Sequence, residues 1–68
     1  MVDKNALKAE FVRNGYTQKD IAKILKISEK TLIARLNKGV FGTDEAQVLV
    51  ETLHIKNPAA IFFAKQVT

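Results

Sequence analysis

The chain has no cysteine and no tryptophan, and only one proline and three glycines among its 68 residues. Without cysteine it has no disulfide staple and no thiolate zinc site, so redox chemistry marks no compartment. No apolar run approaches the ~20 residues that a membrane-crossing helix needs, and the first residues lack the apolar stretch of a signal peptide. A cytoplasmic protein with no membrane partner is expected. No glycine-rich phosphate loop occurs, so no cofactor or small-molecule ligand is expected. The single histidine, His54, has no second ligand at metal spacing, and no nucleophile or paired carboxylate beside it in any recognisable motif. We expect no metal site and no catalysis, and read His54 as a helix terminus. Repeats, linkers and low-complexity stretches are absent too.

What the chain does have is apolar residues, 47% of the total, enough for one helical core. A chain of this length buries only about 60% of its unfolded surface, so dimerisation is the expected extra source of stability. Its formal charge is +4. Lys19, Lys23, Lys26, Lys30, Arg35 and Lys38 stand against only Asp20 and Glu29 between positions 19 and 38, so that segment carries the whole net charge and the rest sums to zero. Such a concentration suits a polyanionic partner more than the total alone would.

The charged segment lies within Thr17 to Gly39, TQKDIAKILKISEKTLIARLNKG. Ile21 and Leu25 are four apart, as are Leu32 and Leu36, which gives two short helices with one apolar edge each. Thr17 caps the first, with Asp20 three residues on as a short-armed capping box. Lys26-Ile27-Ser28 separates them, Ser28 capping the second helix and Ile27 dropping into the core. Ala22, beside Ile21, is small enough to let two crossing helices approach closely. The pattern reads as a helix-turn-helix whose second helix, about Glu29 to Lys38, is held out for a DNA major groove. The plainer alternative is an αα-hairpin that only fills a core, but such a hairpin has no need to segregate its lysines.

Gln18, Ile21-Ala22, Leu25, Ile27-Ser28, Thr31-Leu32 and Leu36-Asn37, closing with Gly39, resemble the helix-turn-helix of the phage Cro and repressor family. The closest likeness is to small phage repressors whose second helix opens Thr-Gln and whose recognition helix ends Leu-Asn-x-Gly. Lys26 departs from the family's usual glycine at the turn, and its left-handed backbone costs lysine roughly 1 kcal/mol unless the turn is rebuilt. The resemblance implies an all-α, compact five-helix lambda-repressor-like domain spanning residues 1–68. By the family's motif, base contacts fall to Glu29, Lys30, Ile33 and Ala34: Lys30 suits guanine O6 and N7, Glu29 cytosine N4, and Ile33 or Ala34 a thymine methyl. Thr17, Gln18, Lys19, Thr31, Asn37 and Lys38 are the expected backbone contacts, with Thr31 an alternative cap. Arg35 is left facing either phosphate or solvent, and Lys23 and Lys26 are read as solvated charges.

Outside this motif, Asp3 is expected to cap a first helix running to Asn14, with Leu7, Phe11 and Val12 inward and Gly15 ending it. Tyr16 serves either as a staple or as a phosphate-reaching hydroxyl, the staple being preferred. Phe41 plugs the loop 40–42, and Thr43 caps a fourth helix with Asp44 and Glu45 in its first turn and Ala46, Leu49, Val50 and Leu53 buried. Asn57-Pro58 opens a last helix. Ile61, Phe62 and Phe63 point about 100° apart, so one aromatic stays outside and 57–64 becomes a candidate dimer contact, as in the resembling family. An extended 61–67 strand is the alternative geometry, and 65–68 reads as a frayed tail.

The expected function is a phage-type or prophage-type transcriptional regulator acting in the nucleoid of a bacterial host, a homodimer on a near-palindromic DNA operator. With no second domain expected, control would come from concentration and operator competition. The rival is a protein-binding modulator or antirepressor that pairs with a partner repressor.

Overall fold

The computed structural model describes residues 2–63, and within them the chain is all-helical: α1 Lys4–Arg13, α2 Gln18–Leu25, α3 Glu29–Lys38, α4 Thr43–Leu53 and α5 Pro58–Phe62. No strand occurs among the described residues. The extended alternative fails at 61–62, which are helical, and both its remainder and the expected frayed tail at 65–68 lie outside the described residues beyond Phe63.

The buried residues form one cluster. Leu7 and Phe11 of α1, Ile21 and Ala22 of α2, Leu32 and Leu36 of α3, Leu49 and Leu53 of α4, and Ile61 and Phe62 of α5 meet there. α2 packs on α3 and α1 on α5. Each stripe follows from side chains three or four apart sharing a helix face. Val12 does not join it and is exposed, because it lies about 100° around α1 from Phe11. Phe41 does plug the loop, its ring meeting Phe62 edge-on at 6.4 Å.

The first described residues are tied into the core. The Val2 amide donates to the Gly39 carbonyl at 2.9 Å, the Asp3 amide to the Ile61 carbonyl at 2.7 Å, and Val2 itself is buried. Asp3 then caps α1 by accepting from the Ala6 amide. The chain thus enters beside the end of α3 and α5.

α1 through α4 all end in one device. The amides of Tyr16, Ile27, Val40 and Ile55 return to the carbonyls of Phe11, Ala22, Arg35 and Val50, five residues back. That closure needs a left-handed residue just before the donor. Gly15 and Gly39 supply it without strain, while Lys26 at φ 60° and His54 at φ 52° accept it. The turn at Lys26 has therefore not been rebuilt. His54 is an exposed helix terminus, as expected.

One cap differs from expectation. The N-cap of α4 is Gly42, and Thr43 is the first helical residue; a glycine has no side chain to offer, so Glu45 turns back and accepts the Gly42 amide at 2.9 Å. The last helix opens as expected, with Asn57 as N-cap and Pro58 first in the helix, where it has no amide to satisfy; Asn57 makes no side-chain cap bond.

Candidate nucleic-acid interface

The entry to α2 is a complete capping box. Thr17 Oγ1 accepts the Asp20 amide at 3.1 Å, and Asp20 Oδ2 accepts the Thr17 amide at 3.0 Å. The Thr17 amide is the main reason the Asp20 carboxyl is held below its usual range; the Thr17 hydrogen bond through its side chain and the charges of Lys23 and Lys19 add to this, and desolvation opposes it. Gln18 and Lys19 follow in the same first turn, Lys19 exposed and Gln18 half-buried. Tyr16 lies partly buried against the core, the position of a staple.

Ile27 tucks partly into the core behind Lys26, and Ser28 starts α3 by accepting the Thr31 amide at 3.1 Å. Its hydroxyl also bonds to Thr31 Oγ1 at 2.8 Å, so Thr31 is engaged in the cap. Leu32 and Leu36 are buried beneath α3. Glu29, Lys30, Ile33, Ala34, Asn37 and Lys38 are all exposed. The helix therefore presents a mixed row of an acid, two ammonium groups, an amide and two apolar contacts to solvent, with its own apolar requirement met on the opposite side.

Four of the expected contact residues, Lys30, Thr31, Ala34 and Lys38, line one open groove of about 520 Å³ together with Arg35, Val40 and Gly42. Glu29, Ile33 and Asn37 occupy the exposed surface of the same helix. Thr17, Gln18 and Lys19 stand at the start of α2 rather than on α3.

Arg35 has a definite place. Its guanidinium pairs with Glu45 in the first turn of α4, and the pair is partly exposed. Nothing in the local sequence pattern marks this pair, since the residues lie on different helices on either side of a loop. Another tie was equally hidden: Asn14 Nδ2 and Arg13 Nη2 donate to the Leu53 carbonyl at 3.1 and 3.2 Å, so the end of α1 satisfies the end of α4.

The C-terminal apolar triplet is divided. Ile61 and Phe62 are buried in the chain's own core, which removes them from the surface a partner could reach, whereas Phe63 is 74% exposed. Phe63 shares a shallow cleft with Val40, itself 65% exposed, and with Val2, Phe41 and Thr43. The reason is angular: successive residues on a short helix cannot all face one core.

Compared with known protein families, characterised proteins and solved structures, the chain matches none of them.

Proposed function

We propose that this chain is a sequence-specific DNA-binding regulator with a lambda-repressor-like arrangement, in which α2 and α3 form a helix-turn-helix and α3 reads the major groove. The observation that carries this reading is the exposed row on α3. A helix whose buried side is satisfied by Leu32 and Leu36 still displays Glu29, Lys30, Ile33, Ala34, Asn37 and Lys38. Donors, an acceptor and methyl groups on one face are the chemistry that distinguishes base pairs in the major groove. Lys30 is assigned to guanine, Glu29 to cytosine, and Ile33 and Ala34 to thymine methyl groups.

Phosphates are assigned to the start of α2, where Thr17, Gln18 and Lys19 surround free amides and the positive end of the helix dipole, and to Thr31, Asn37 and Lys38. The protein acts as a homodimer on DNA, with Phe63 rather than Ile61 or Phe62 as the C-terminal contact. Two copies of α3 then meet half-sites about one turn apart, ~34 Å, on a near-palindromic operator. Occupying that operator over a promoter represses transcription.

Selection from a random-sequence duplex pool tests the reading. It should enrich a near-palindromic site, and Lys30→Ala should weaken binding to that site by about 10-fold or more, the value of losing one base-specific pair. If Lys30→Ala and Asn37→Ala leave DNA binding unchanged, the exposed apolar pair Val40 and Phe63 would favour the other reading, a modulator that pairs with a partner repressor.

A further inference from the structure

The groove beside α3 contains three cationic side chains, Lys30, Arg35 and Lys38. Among the described residues, only Arg35 of these is drawn into an ion pair, with Glu45. The same Glu45 oxygen accepts the Gly42 amide at 2.9 Å, so one carboxylate ties the last turn of α3, the 40–42 loop and the first turn of α4 together. Its place at the start of α4 also suits an acid, since the helix dipole favours it there. Partly exposed ion pairs contribute little to stability. What this one decides is where the guanidinium points. A planar guanidinium is also well suited to phosphate, because its fork matches two phosphate oxygens at once.

We propose that Glu45 sets the protein's sequence-independent DNA affinity: by holding Arg35 against α4 it withholds one strong phosphate contact, which limits binding to DNA of any sequence. This rests on the DNA-binding reading above. Phosphate contacts add affinity equally on all sequences, so one contact fewer lowers the affinity for every duplex while the ratio between sequences stays with the base contacts of α3.

Glu45→Gln tests it, since the glutamine amide oxygen still accepts the Gly42 amide while the charge on Arg35 is released. Glu51→Gln, a change of equal charge at an exposed site on the same helix, reads the general effect of net charge. Binding of each to a random-sequence duplex is titrated by fluorescence anisotropy between 0.1 and 1 M salt. Beyond the Glu51→Gln effect, Glu45→Gln should steepen the log-log salt slope by about 0.9 and bind about eightfold tighter at 0.1 M, the yield of one phosphate contact over that decade. The double variant Arg35→Gln/Glu45→Gln, with the wild-type net charge, should return to wild-type binding. Glu45→Gln matching Glu51→Gln, with wild type binding normally, overturns the role of Glu45 alone. A gain that persists in the double variant also overturns it. Absence of wild-type binding to any duplex at 0.1 M overturns this proposal together with the DNA reading it rests on.

Discussion

The Ile27 amide donates to the Ala22 carbonyl at 3.0 Å, across a turn whose central residue, Lys26, is left-handed. This bond closes α2, turns the chain and aims Ser28 so that its hydroxyl can start α3. Ala22 is therefore at once the acceptor for the turn and the buried small residue on the inner face of α2.

Enlarging that side chain should be costly. Ala22→Leu overpacks a residue only 3% exposed, and should destabilise the fold by about 1–3 kcal/mol. Urea unfolding followed by circular dichroism measures it. A midpoint equal to wild type would mean that the residues around Ala22 have room to spare.

The left-handed lysine should respond in the opposite direction. Lys26→Gly removes the Cβ clash that φ 60° imposes, and should stabilise by about 1 kcal/mol, less the extra freedom glycine gives the unfolded chain. A loss of stability in the same unfolding experiment would show that the Lys26 side chain contributes contacts outweighing its backbone strain.

These helix ends show how far the sequence could be read. Gly15 and Gly39 announce their stops because glycine takes the left-handed form freely. His54 does not, and it adopts the conformation because Ile55, next along, is buried and its amide must reach Val50. At His54, tertiary burial of the following residue overrides local preference, and at Lys26 the following residue, Ile27, packs partly against the core. The α4 cap lies one residue before the threonine that spacing favours for a local reason: Thr43 has the better capping side chain, but Glu45, three residues on, satisfies the Gly42 amide from inside the helix. The candidate contact row was legible from spacing, since Leu32 and Leu36 fix which side of α3 is buried. The Arg35–Glu45 pair and the burial of Val2 were not, because both depend on how separate elements meet.

Acid should expose the α2 capping box. The Asp20 carboxyl lies below its ordinary value of 3.8 mainly because the Thr17 amide bonds its charged form. A carboxyl with a lowered folded pKa contributes stability that is fully present above 3.8 and is lost as pH falls through its folded value. Asp20→Asn should therefore be less stable than wild type at neutral pH, with the gap narrowing below 3.8. Thermal melts across that range measure it, and a gap independent of pH would contradict the assignment.

The two neighbouring phenylalanines should separate cleanly. Phe62→Ala opens a cavity in the core and should cost about 3–5 kcal/mol. Phe63→Ser, at an exposed position, should leave the melting temperature within a few degrees but weaken self-association in sedimentation equilibrium on operator DNA. Unchanged association would place the dimer contact elsewhere.

The most direct measurement is an anisotropy titration of the wild-type protein against the DNA flanking its own gene, at two salt concentrations with random DNA as competitor. Tight binding that survives competitor, with a log-log salt slope equivalent to several phosphate contacts, is the result expected of a sequence-specific regulator. Weak binding, equal on both DNAs, would contradict that function.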